Sequence, residues 1–172
     1  MVERIHYRVV KELNGVEIRL YPQIVIARVD GYGDGGFNLL FRFITGENKQ
    51  NAKVTMTAPV ISGKIPMTAP VISTEGSLAF VMPESYTMGT TPEPTDNRVK
   101  IAETPARAVA ALRFSGRWNR EVFAARSREL LAELQKAGVK SRGEVFSMRY
   151  NSPFSLWFMR RNEVAVEVEL EG

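Results

Sequence analysis

The sequence predicts a single α+β domain over residues 1–172, a mixed and mostly antiparallel sheet curled around one core with two helices outside. Two observations carry that prediction. The readable segments run strands, helix, strands and then strands, helix, strands, the order expected of two similar halves packed together. The composition, 44% hydrophobic with 24% charged residues, is that of a compact folded chain.

The opening reads as a meander of three short strands, Tyr7–Leu13, Val16–Tyr21 and Ile24–Val29, broken at Asn14-Gly15 and at Pro22. Asn-Gly between β-rich runs signals a tight hairpin because both residues tolerate positive φ. Asp34-Gly35-Gly36 ends the strand pattern, and Phe37, Leu40, Phe41 and Ile44 then recur at helical spacing as far as Gly46. Leu39 and Phe43 fall on a second face, which leaves only the sector of Asn38 and Arg42 polar. One face of this helix can pack on a sheet while another meets something else.

A repeat follows: VTMTAPVIS ends at Ser62 and IPMTAPVIS at Ser73, with Met56 and Met67 in equivalent places. Two short strands joined at Gly63-Lys64 account for it, since so short a period occurring twice cannot build a solenoid. Ser77–Met82 reads as a strand, Pro83 to Asn97 as a loop, and Val99–Ile101 and Ala106–Phe114 as further strands. Asn119 suits a helix N-cap, Glu121 the first-turn dipole, and Phe123, Leu130, Leu134 and Ala137 form a stripe that Gly138 ends. The last strands are Glu144–Tyr150 and Glu163–Leu170. In the second, Val164, Val166, Val168 and Leu170 alternate with Glu163, Glu167 and Glu169, which predicts one wet face.

Charge and composition narrow the function. Lys and Arg number 23 against 19 Asp and Glu, a net charge of +4 that is far from the dense basic stripe of a nucleic-acid binder. The absence of cysteine excludes disulfides, iron–sulfur clusters, thiolate-ligated haem and thiol nucleophiles. No run is long enough to span a bilayer, and MVERIHYRVV lacks the apolar stretch of a secretory signal, so a cytoplasmic protein is expected. No nucleophile–histidine pair, GxSxG, phosphate-loop lysine or metal-spaced cluster is present, and His6 is the one histidine. The chain does not read as an enzyme.

Several segments, in order, resemble successive signatures of the SOUL/haem-binding protein family: Val16 to Pro22, Phe43-Ile44-Thr45-Gly46-Glu47-Asn48, Met56-Thr57-Ala58-Pro59-Val60, Phe80-Val81-Met82-Pro83, Phe114-Ser115-Gly116 and Trp157 to Val164. The resemblance implies a distorted β-barrel with two helices, built as duplicated βαββ halves. It also implies non-covalent binding of haem or metal-free porphyrin, as a carrier or buffer, in an apolar groove between the first helix and the loop before the last strand. Carried onto this sequence, the groove residues are Phe37, Leu40, Phe41, Arg42 and Ile44 with Tyr150, Phe154, Trp157 and Phe158.

A porphyrin is a flat apolar plate bearing two carboxylates, so its groove needs apolar walls and a cation at the rim. Arg42 reads either as that cation, pairing a propionate, or as a solvated surface arginine. The phenylalanines read either as walls or as core. Leu156 lies about where some family members carry a lysine, so one electrostatic anchor is missing here. The iron ligand is open: His6 lies outside the matched motifs, and Tyr150 or a methionine competes with core packing. Arg160-Arg161-Asn162-Glu163 reads as a structural ion-pair network. A tetrapyrrole-binding monomer is expected. The alternative is a sensor-like module for amphipathic or cationic ligands, whose sign would be Glu163 or Glu167 facing the groove.

Overall fold

A computed structural model describes residues 3–31, 35–63, 76–117, 119–150 and 161–170. In chain order its elements are β1 (Glu3–Arg4), β2 (Arg8–Leu13), β3 (Val16–Tyr21), β4 (Ile24–Val29), α1 (Gly35–Ile44), β5 (Thr57–Gly63), β6 (Ser77–Val81), β7 (Lys100–Thr104), β8 (Arg107–Phe114), α2 (Arg120–Lys136), β9 (Ser141–Arg149) and β10 (Asn162–Val168). The class is α+β. Chain contacts divide it into two compact units, Met1–Ile5 with Gln23–Pro105 and His6–Pro22 with Ala106–Gly172.

In the first unit the strand order is β1-β5-β6-β4-β7, with β1 parallel to β5 and the other pairs antiparallel. The helix α1 lies on β4 and β6. Leu39, Leu40, Phe43 and Ile44 pack there against Val25, Ala27, Val29, Phe80 and Met82. Gly36 permits the approach: a Cβ at this position would stand 2.7 Å from Cγ2 of Val29. Beyond the helix, the buried Asn48 side chain organises the return of the chain. It donates to the carbonyls of Phe43 and Ala52 and accepts from the amides of Gln50 and Ala52.

In the second unit the order is β2-β3-β8-β10-β9, all antiparallel. Asn14 and Gly15 take positive φ, and Leu13 faces Val16 across the ladder, so the expected two-residue hairpin forms. The helix α2 starts where Asn119 Oδ1 accepts the Val122 amide at 2.8 Å, and Gly138 follows its end at φ 70°. Leu130 and Leu134 are buried against Val16, Ile18, Ala110, Leu112, Val164 and Val166. Both units therefore place a strand–helix–strand–strand run so that its last strand lies between the other two, β4-α1-β5-β6 and β8-α2-β9-β10.

Several expectations change. The described ladders of each unit form an open path rather than a ring, so the sheets are open where a barrel was expected. The short β1 was not foreseen, β9 starts at Ser141 rather than Glu144, and β7 runs from Lys100 rather than Val99. The second MTAPV copy lies outside the described residues. The last strand has no wet face along most of its length, since Glu163 is fully buried with Val164, Ala165 and Val166. Its acidic positions resemble a solvated row, but Glu163 is covered because a cation from β3 neutralises it.

Candidate functional site

The helix α1 has an apolar arc wider than one sheet can cover. Residues 36, 39, 40, 43 and 44 are buried, while Phe37 is half-buried and Phe41 is 45% exposed. The two outer rings stack with centroids 6.1 Å apart and planes 12° from parallel. Phe37 also meets Phe80 edge-on at 5.1 Å, which fixes one end of the stack to the core. Arg42 is half-exposed next to them, and its Nε stands 3.7 Å from Glu47 Oε2, an exposed and therefore weak pair.

The residues expected to line a groove thus separate. Phe37, Phe41 and Arg42 share the outer side of α1, whereas Leu40 and Ile44 belong to the core of the first unit and support that surface from below. Tyr150 is buried in the second unit. Phe154, Trp157 and Phe158 lie outside the described residues. Met82 and Met148 are buried core side chains, as the packing alternative had it.

Tyr150 joins a buried polar cluster on the face of the second unit's sheet opposite α2. Glu17, Arg19 and Tyr21 alternate along β3 and so share a face. Arg19, 1% exposed, grips Glu163 with both ends of its guanidinium, one contact being Nη1 to Oε1 at 2.6 Å and the other Nη2 to Oε2. Glu17 accepts from the same guanidinium at 2.7 Å. Tyr21 accepts from Arg19 at 3.0 Å and meets the Tyr150 hydroxyl at 2.5 Å. Arg161 donates to Tyr7 at 2.5 Å, lies 3.4 Å from Glu163, and covers the Tyr150 ring at 4.0 Å.

Titration behaviour follows from this packing. Burial works against the Arg19 charge, but its hydrogen bonds to Glu163 and Glu17 and the nearby negative field hold its pKa above the ordinary arginine value. Burial pushes Tyr21 up to about 12, against the opposing pull of Arg19. Tyr150 is raised further by burial with Tyr21 and Glu163 beside it. Both phenols are neutral and share one hydrogen bond, which engages the Tyr150 hydroxyl inside the second unit. The expected ion-pair role of Arg161 and Glu163 is thus met, but Arg19, Tyr7 and Tyr21 as partners were not anticipated. Among the described residues no cluster of three or more His, Asp or Glu has the arrangement of a metal site, and no helix is long and apolar enough to cross a membrane.

The family model for the SOUL heme-binding protein matches residues 2–167. The chain belongs to that family. No curated protein matches this SOUL chain. Among solved structures, a hydrolase from Listeria innocua is 10% identical with a TM-score of 0.58, covering 93% of this chain and 94% of that one. The EcmrR C-terminal domain is 10% identical with a TM-score of 0.59, covering 95% and 98%. EcmrR bound to DNA gives 10% identity and a TM-score of 0.61, over 90% of this chain and 57% of that one. At such identities these structures share the fold with the SOUL chain and carry no activity over to it. The family itself is described by haem binding and by no reaction.

Proposed function

We propose that this SOUL protein binds haem or metal-free porphyrin non-covalently on the outer face of α1. The carrying observation is the Phe37–Phe41 stack, an aromatic surface left open by a helix whose remaining apolar residues are buried. Arg42 lies on the same side of the helix, paired among the described residues with the exposed Glu47 at 3.7 Å and within the field of Asp96, and serves a propionate. Bound haem would supply an iron centre. The residues of α1 supply the apolar floor, its rigidity through Phe80, and the cation.

Such a site reads shape and carboxylates rather than iron. Tyr150, whose hydroxyl is held by Tyr21, and the buried Met82 and Met148 make poor iron ligands, which supports tolerance of metal-free porphyrin. The sign of the sensor reading is Glu163 or Glu167 facing the groove; Glu163 is held by Arg19, which argues against it as that group and leaves the half-buried Glu167 as the candidate of that reading. The family match runs through both units, which supports treating them as one SOUL domain, and their shared strand order supports descent from duplicated βαββ halves.

The test is a titration of the whole chain and of Phe41→Asp and Arg42→Glu with protoporphyrin IX. A phenylalanine presents about 200 Å². At 45% exposure, covering Phe41 removes about 90 Å² from water, or about 2 kcal/mol. Phe41→Asp therefore weakens binding roughly 30-fold. Unchanged affinity in both variants would remove α1 as the site.

A further inference from the structure

Arg107 opens β8 in the second unit, across the ladder from Tyr21. Its surroundings differ from those of the other cations on the same face. Arg19 is held by Glu163, Glu17 and Tyr21, and Arg161 by Tyr7 and Glu163. Among the described residues the Arg107 guanidinium has no hydrogen bond and no ion pair, and its Nη1 is sealed from solvent without an acceptor. Cζ stands 5.1 Å from the centre of the Phe146 ring, itself fully buried. Glu167 reaches it through its field alone, and burial pulls the Arg107 pKa down in spite of that field.

A guanidinium so placed has lost part of its hydration and gained no acceptor in return. A permanent cation in that condition gains more from an incoming anion than a solvated one does. Phe146 packs against the group at 5.1 Å and offers no hydrogen-bond acceptor, so an incoming planar acceptor would engage donors that the described residues leave unused. A carboxylate matches a guanidinium with two parallel hydrogen bonds.

We infer that Arg107 anchors a carboxylate-binding site on the sheet face of the second unit opposite α2. The site is built from residues of the second unit and does not rest on the tetrapyrrole reading. Its occupant is a molecule bearing a carboxylate, either a free small acid or the propionate of a porphyrin. Glu167, half-buried nearby, disfavours dianions and so selects for a single negative charge.

Saturation-transfer NMR with benzoate as the probe tests this on the whole chain, on Arg107→Gln and Arg107→Met, and on Arg120→Gln as a surface control. Saturable binding to the parent and to Arg120→Gln is expected, weakened about ten- to hundredfold in both Arg107 variants, the loss that follows removal of a charged hydrogen-bond donor. Arg107→Met keeps the apolar stem over Phe146 and serves where Arg107→Gln fails to fold. Adding protoporphyrin IX distinguishes the sources. Displacement of benzoate names the propionate and retention names a separate acid, and either supports the site. No saturable benzoate binding at millimolar concentration, or binding indifferent to both Arg107 variants, overturns it.

Discussion

Glu163→Gln removes one charge from a pair whose two side chains are 0% and 1% exposed, and leaves Arg19 buried with Glu17 as its remaining acid. Glu17 is a third exposed and so offsets only part of the loss. Breaking a buried pair from one side costs about 3–5 kcal/mol, because the surviving charge keeps its desolvation penalty. Arg19→Met should cost a similar amount, since among the described residues Glu163 then keeps Arg161 alone, at 3.4 Å. The double variant Arg19→Met/Glu163→Leu removes both fully buried charges, though it takes Arg19 from the part-exposed Glu17 and Glu163 from Arg161, and should cost less than either single variant. Urea unfolding of the four proteins measures these costs, with the slope checked for change. A Glu163→Gln cost below about 1 kcal/mol, the range of exposed pairs, would refute the reasoning, as would a double variant weaker than either single one.

Three further outcomes follow from the same packing. Tyr21 titrates near 12 in the fold against 10.0 ordinarily. Its raised pKa contributes stability that is complete below pH 10 and lost as pH rises through 12, about 3 kcal/mol in all. Thermal unfolding across that range should show a shallower alkaline decline in Tyr21→Phe. Asn48→Ala forfeits four hydrogen bonds around the buried turn and should cost about 2–4 kcal/mol in chemical denaturation. Gly36→Ala drives a methyl against the stiff, buried Val29, a cost of about 1–3 kcal/mol that the helix preference for alanine offsets in part. Pairing it with Val29→Ala should recover most of the approach, and an additive double variant contradicts the clash.

What sequence could reveal tracks the range of the forces involved. The hairpin at Asn14-Gly15 and the cap at Asn119 are decided by neighbouring residues, and they stand as expected. The two apolar faces of α1 were legible from spacing, but which became core depended on where β4 and β6 lay, so Leu40 and Ile44 were grouped with the outward Phe37 and Phe41. Glu163 shows the limit most clearly. Its place among alternating valines reads as a solvated row until Arg19, 144 residues away, is brought against it. A signal for that partner was present in β3, where Glu17, Arg19 and Tyr21 put a polar row on one face of an otherwise apolar strand. The β1 pairing spans two residues, too few for any periodicity.

The most direct test of the central claim is a parallel titration with hemin and metal-free protoporphyrin IX, followed by absorbance and tryptophan quenching. Saturable one-to-one binding of both, with comparable affinity and a common loss in Phe41→Asp, is the predicted result. Failure of both to saturate at micromolar concentration, or tight binding of hemin alone, would contradict a site governed by the α1 aromatic surface and propionate contacts.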